Sequence, residues 1–390
     1  MPQPNWTVKA GFAKETVWGT PISPPTFMVS VDNPMFQEDQ DPIKDKGLRG
    51  TRAATKAIYF AAGHTAVTLA NMPFYGDDSV HFLMALLGQD TIAGTARTGT
   101  ITAVAAGGAA ATYTPGTGGS SVTGDIFLVD AGLATQEIVV PTSIAGNVWT
   151  VPSTGLNSFK FAHAGGAAVK TLFSHTLTTL NTGQPPSYTG AKFDGLNGAN
   201  ARQVSGIYFD ELDIKLANPG AMQVTAKGLG KLGSNIATPS FPAYSAESFD
   251  IPWQASLVVG GVANARFIGW DYAFKAKNQQ IFGMNGTTSA SSAISDQLTV
   301  EGTFLVVPDD YTEFNYYIGN VQPSVAMTID TSSTRILYQM SKVAFLKPTA
   351  FDHGGNFTQL KGTWEAVDNA TDGSTSPIKV VVYNQRATAY

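Results

Sequence analysis

Five histidines, His64, His81, His163, His175 and His353, are the first side chains that could carry chemistry, and there is no cysteine beside them. No two of them stand at the i, i+4 spacing that turns a pair of imidazoles toward one metal, and the lack of cysteine excludes disulfides and thiolate ligands. Metal binding is therefore not expected. Gly228-Leu229-Gly230-Lys231-Leu232-Gly233 has the glycine spacing of a dinucleotide-binding turn. That chemistry needs a following helix whose N-terminus holds the pyrophosphate. Ser234-Asn235-Ile236-Ala237-Thr238-Pro239 starts no helix, so a flexible turn after a strand is expected. A phosphate loop ending in Lys-Ser/Thr and a Gly-x-Ser-x-Gly elbow are both missing. Asp77-Asp78 and Asp309-Asp310 are adjacent carboxylates, whereas glycoside hydrolysis needs two that face each other across a cleft. No cofactor and no enzymatic activity are expected.

Charge is concentrated instead in one stretch. Between Glu38 and Lys56, nine of nineteen residues are charged, against 14% for the whole chain. The acids Glu38, Asp39 and Asp41 come first; Lys44, Asp45, Lys46, Arg49, Arg52 and Lys56 follow. A solvated loop is one reading. The separation of sign also suits docking onto a like copy, acidic half against basic half, and these nine residues are the candidate contact residues between subunits or rings.

The elements that would position such a surface are mostly strands. Leu212, Ile214 and Leu216 alternate with Asp213 and Lys215, Asn218-Pro219-Gly220 offers a turn, and Met222, Val224 and Ala226 return with Gln223, Thr225 and Lys227 facing outward. Trp270, Tyr272 and Phe274 repeat the pattern, as do Leu298, Val300 and Phe304, and Ile378, Val380 and Val382. One helix is predicted. Asp77-Asp78-Ser79 supplies cap oxygens, Val80, Leu83, Met84 and Leu87 form its apolar stripe, and Gly88 can take the left-handed stop.

Composition changes between Thr91 and Thr171, where Ala, Gly and Thr dominate and the charges are only Arg97, Asp125, Asp130, Glu137, Lys160 and Lys170. Short strands are expected there at Thr100–Val104, Ile126–Val129, Glu137–Val140 and Val148–Val151, forming a small inserted β-domain. The length of 390 residues suits two or three domains. A net charge of −5 argues against a protein that grips phosphates. The N-terminus lacks a basic region followed by an apolar run, and no apolar stretch reaches membrane-spanning length. Folding in a cytoplasm is expected, and the Asn-x-Ser/Thr matches at Asn5, Asn285, Asn356 and Asn369 are read as chance. So low a charged fraction on so long a chain suggests a surface largely covered by other subunits.

Gly11-Phe12-Ala13-Lys14-Glu15-Thr16-Val17-Trp18-Gly19-Thr20-Pro21 resembles the G-x-x-x-E-x-x-(Y/W)-G-T start of the major tail tube proteins of long-tailed bacteriophages. Further features of that family are matched in order: Gly47-Leu48-Arg49-Gly50-Thr51-Arg52 after the charged segment, Leu86-Leu87-Gly88 at a helix end, His175–Leu180, Pro186–Thr189, and Ala366–Asn369 through Tyr383-Asn384. The resemblance covers roughly residues 8–90 and 172–390; the insert at 91–171 departs from the short members. It implies an all-β fold with one short flanking α-helix: a β-sandwich or barrel-like body (1–90 and 172–390) plus the insert. It also implies six copies per ring, rings stacked into a tube, and neighbouring sheets merging around a lumen. Stacking would fall to Glu38–Lys56, and arm roles to residues 1–27 and the end near Tyr390. The implied partners are further copies of the chain, tape measure, tail tip and tail terminator proteins, and double-stranded DNA passing the lumen without specific binding. The implied location is the virion tail, assembled in the host cytoplasm without membrane insertion. A capsid decoration or adhesion module is the alternative, since strands and a compact insert would look the same there. An enzyme on a β scaffold is the third reading.

Overall fold

Residues 8–31, 34–46, 55, 57–195, 200–217, 222–244, 255–263, 266–284, 287–348, 351–352, 358–372 and 376–390 are described by a computed structural model of the chain. The alternating segments form strands whose apolar side chains meet between two body sheets. The larger sheet runs Pro34–Asp45, Ala57–Pro73, Gln223–Gly230, Asn200–Ala217, Phe267–Ile281, Ser292–Val306, Leu360–Ala366 and Val343–Leu346, each pair antiparallel. The first half of Asn200–Ala217 carries a branch: Tyr188–Phe193, Lys9–Lys14 and Phe27–Met28 extend from one edge, and Ser234–Ala237 pairs on the other. The second body sheet runs Val262–Ala263, Ala255–Val259, Val325–Asp330, Arg335–Met340, Lys379–Asn384, Phe173–Thr179 and Gly88–Ala93.

The predicted inward residues are the core. Leu212, Ile214, Met222, Val224, Trp270, Tyr272 and Phe274 share one buried cluster with Ile336, Tyr338, Val380 and Val382 of the facing sheet. Tyr272 stacks on Tyr338 across the sheets at 4.9 Å, and Trp270 stacks on Trp364 at the same centroid distance. Offset pairs of this kind add roughly 1 kcal/mol each beyond the area they bury. The turn expected at Asn218-Pro219-Gly220 lies outside the described residues.

Helix α1 spans Val80–Leu87, and Gly88 (φ 84°) closes it by donating its N–H to the Met84 carbonyl. Every one of its eight residues is buried, so the stripe read from the sequence is only one part of an all-round apolar helix. The expected side-chain cap is not made. Ser79 Oγ instead accepts the Tyr75 N–H, and Asp77 Oδ1 accepts that of Asp78, in the turn leading into the helix. A second helix, α2 (Thr312–Ile318), was not predicted. Its signal was Asp310, whose Oδ1 accepts the Thr312 N–H at 2.8 Å, and Glu313 in the first turn.

The insert forms a sheet of its own, in the order Ser143–Ala145, Val148–Thr150, Ala110–Pro115, Thr98–Ile101, Ala167–Thr171, Phe127–Val129 and Glu137–Val139. Its core packs Phe127 on Trp149 at 4.1 Å beside Tyr113 and Phe159. His163 is held between Asp130 Oδ2 and Glu137 Oε1, 2.7 Å from each. Thr91 is not its boundary: Gly88–Ala93 is an edge strand of the second body sheet, paired with Phe173–Thr179, and the chain leaves that sheet after Ala93. The glycine run beginning at Gly228 is a turn only in its second half, where residues 231–233 join two strands. Gly228 and Gly230 end the Gln223–Gly230 strand, and a Cβ at Gly230 would lie 2.5 Å from Val204. Close approach of two strands requires glycine there. Among the described residues, no helix is long and apolar enough to cross a membrane.

Candidate assembly interface

Of the segment expected as a loop, the described residues 38–45 lie in a strand of an antiparallel pair. Pro34–Asp45 pairs with Ala57–Pro73 from Pro34↔Leu69 to Asp45↔Ala57, with a bulge between Gln40 and Pro42. Ile43, Ile58, Tyr59 and Phe60 supply the β-branched and aromatic content that favours strands, a signal overlooked beside the charges. Proline without its N–H is tolerated because, among the described residues, Pro34–Asp45 pairs only with Ala57–Pro73.

The base of this hairpin is firmly held. Val67, Leu69 and Met72 are buried in the body core. Thr65 Oγ1 accepts the Gly233 N–H at 3.1 Å, and the Gly63 N–H donates to the Thr288 carbonyl at 2.9 Å. Past Gly63 the ribbon continues for Ala57–Ala62 opposite Asp41–Asp45, about 20 Å at the usual strand rise. There Ile43 (58% exposed), Ile58 (54%), Tyr59 (62%) and Phe60 (63%) face solvent. Two strands alone are marginal in water, and large apolar side chains exposed on both faces of one short ribbon mark an interaction site.

Of the nine candidate contact residues, Asp39, Asp41, Lys44 and Lys46 are exposed on the hairpin and Asp45 is half-buried. Glu38 differs: it forms an ion pair with Arg202 of the neighbouring Asn200–Ala217 strand. It therefore belongs to the hairpin's anchorage rather than to a free acidic half. Arg49, Arg52 and Lys56 lie outside the described residues. Beside these charges the hairpin exposes Ile43, Ile58, Tyr59 and Phe60, which a reading of charge alone leaves out.

The arm roles are not what residues 9–28 and the chain end do. Lys9–Lys14 and Phe27–Met28 are body strands, with Phe12 and Phe27 in the core. Glu15, the acid of the N-terminal signature, is buried and accepts four hydrogen bonds. Gly19 N–H and Ser187 Oγ–H reach Oε2; Thr189 Oγ–H and Gly206 N–H reach Oε1, all at 2.7–2.8 Å. Lys231 Nζ lies 4.5 Å over the Trp18 ring and donates to the Gly19 carbonyl. The signature is a clamp that ties the first strand to the Tyr188–Phe193 and Asn200–Ala217 strands.

Tyr390 is 3% exposed. Its backbone N–H donates to Asp90 Oδ2 at 3.0 Å, Lys14 donates to its backbone oxygen, and Asn384 bonds its hydroxyl. His175 bridges Asp90 and the Arg386 carbonyl in the same cluster. His81 stacks flat on Phe27 at 4.0 Å. Burial, with Arg386 and Lys14 nearby, holds the His81 pKa down to about 3. These buried histidines fasten the fold.

No protein-family model matches the chain, and no curated protein matches it.

Proposed function

We propose that this chain is a structural subunit that polymerises with its own copies, and specifically the tail tube subunit of a long-tailed bacteriophage. The observation that carries the reading is the projecting hairpin, with four large apolar side chains more than half exposed on a ribbon that needs a neighbour. Two further features support it. Among the described residues, the larger sheet ends in Pro34–Asp45 at one side and Val343–Leu346 at the other, each paired on one edge only. Such edges invite pairing with an adjacent copy, and a ring removes them by closure. The ordered resemblance from the Gly11–Thr20 signature onward supplies the identity of the tube. On this reading the rings stack in the virion tail with tape measure, tail tip and tail terminator proteins as partners. A wall built from a chain of net charge −5 would let DNA slide past without adhering.

Electron microscopy of concentrated protein tests this directly. Six-fold rings or hollow tubes are expected from the wild-type chain, and only dispersed subunits from Tyr59→Ser with Phe60→Ser. Discrete trimers from the wild type would overturn the reading in favour of a decoration or adhesion protein.

A further inference from the structure

The hairpin has two unlike faces. Side chains of directly opposed residues point to the same side of a ribbon, and neighbours along a strand point to opposite sides. Pro42 pairs with Phe60 and Lys44 with Ile58; Ile43 pairs with Tyr59 and Asp45 with Ala57. One face therefore carries Lys44, Ile58 and Phe60, apolar and basic, and the other carries Ile43, Tyr59 and Asp45. Lys44 is exposed on the first face, which carries no acid over residues 42–45 and 57–60, and the exposed Lys46 follows it.

A groove of about 660 Å³ elsewhere on the same sheet has the opposite character. Leu298, Val367 and Pro185 help form its apolar floor, and Asp296, Glu365 and Asp368 stand exposed on its rim. Among the described residues, no lysine, arginine or histidine lines it. It sits beside the Ser292–Val306 and Leu360–Ala366 strands, toward the far side of the sheet from the hairpin.

We propose that this groove is the receptor for the Lys44/Ile58/Phe60 face of the hairpin of a second copy of the chain. The proposal rests on the reading of the hairpin as a contact between copies, and adds where it lands and which face is used. The fit is apolar side chains into an apolar floor and Lys44 against three carboxylates. Because donor and receptor are different surfaces, a pair joined by one contact still has one free hairpin and one free groove. Such head-to-tail contacts propagate into rings or filaments rather than stopping at a dimer.

The absence of cysteine allows a clean test. Phe60→Cys protein is mixed with Val367→Cys protein and mildly oxidised, with Tyr59→Cys in place of Phe60→Cys as the opposite-face control. Melting curves confirm that each variant is folded. A disulfide-linked dimer from the Phe60→Cys and Val367→Cys mixture, at least five-fold stronger than from the Tyr59→Cys mixture, is expected. Lys44→Glu should reduce the link about ten-fold, and Glu365→Lys on the receiving copy should restore it. Rings or tubes that form without the 60–367 link overturn the groove while leaving the polymerising subunit intact. Equal linking from both faces overturns the assignment of the face. If copies neither assemble nor link, the groove and the proposed function fall together.

Discussion

At the scale of residues, the side chains that attract attention in the sequence turn out to hold the fold. Glu15 gives each of its oxygens one backbone N–H, from Gly19 and from Gly206, besides a hydroxyl. Glu15→Gln must therefore aim its NH₂ at a backbone N–H whichever way the amide turns, so it should destabilise nearly as much as Glu15→Ala. A loss of about 3 kcal/mol is expected for either, several buried donors being left without acceptors at 1–3 kcal/mol each, and denaturant unfolding measures it. Gln retaining most of the wild-type stability would refute the four-acceptor account. His81 makes a pH prediction. Its imidazole is neutral in both states above about pH 6.5, so its burial is uncontested there. As the pH falls below that, the unfolded chain takes up a proton that the folded chain refuses until about pH 3. Stability should drop by about 1.4 kcal/mol per pH unit in that window. His81→Phe, which keeps a flat ring against Phe27, should flatten this part of the acid limb in a urea-unfolding series; an unchanged slope would show that other groups dominate.

At the scale of elements, the division between what sequence reveals and what it hides has a physical cause. Strands buried on one face were legible because burial imposes period two, and Leu212, Ile214, Trp270, Tyr272, Val380 and Val382 all point inward as that period requires. Helix α1 was legible by its stripe and by Gly88, but its burial on every side depends on both sheets closing around it, which no local window contains. The charged hairpin was misjudged as a loop because charge usually signals solvent, and its alternation is broken by the bulge between Gln40 and Pro42. The anchoring of Glu38 by Arg202 joins residues 164 positions apart in sequence, by subtraction of their numbers, and no spacing rule reaches that far. The hairpin's exposed end makes a prediction of its own. Because Tyr59 and Phe60 are more than 60% exposed, replacing both with Ser should leave subunit stability within about 1 kcal/mol while abolishing assembly. A strongly lowered melting temperature would mean instead that the hairpin packs on its own body.

At the scale of the whole molecule, the position of the insert decides how separable it is. Gly88–Ala93 and Phe173–Thr179 are antiparallel partners, with Ala93 opposite Ser174, so the insert occupies the place of a hairpin turn. Removing residues 94–173 and joining Ala93 to Ser174 through Asn-Gly would restore a tight two-residue turn. A cut at Thr91 would remove part of the edge strand and is the wrong boundary. The excision has a definite cost. Ile126, Leu128, Ile138 and Leu172 form a small apolar cluster against Tyr383 of the body. Lys160 lies 3.6 Å from Asp330, Gln136 donates to the Ser332 carbonyl, and Arg335 donates to that of Leu156. The Asp330–Arg335 pair survives, since both partners are body residues held in two short hydrogen bonds. The trimmed chain should therefore fold, with a melting temperature lowered by the newly exposed Tyr383 face but with the body core of Trp270, Trp364, Tyr272 and Tyr338 intact. It should also assemble as the full chain does, because hairpin, groove and open sheet edges all lie in the body. Near-ultraviolet circular dichroism and electron microscopy of the excised protein read the two outcomes separately. Aggregation would show that the insert shares the body's core, and a folded but non-assembling product would place part of the interface between copies on the insert itself.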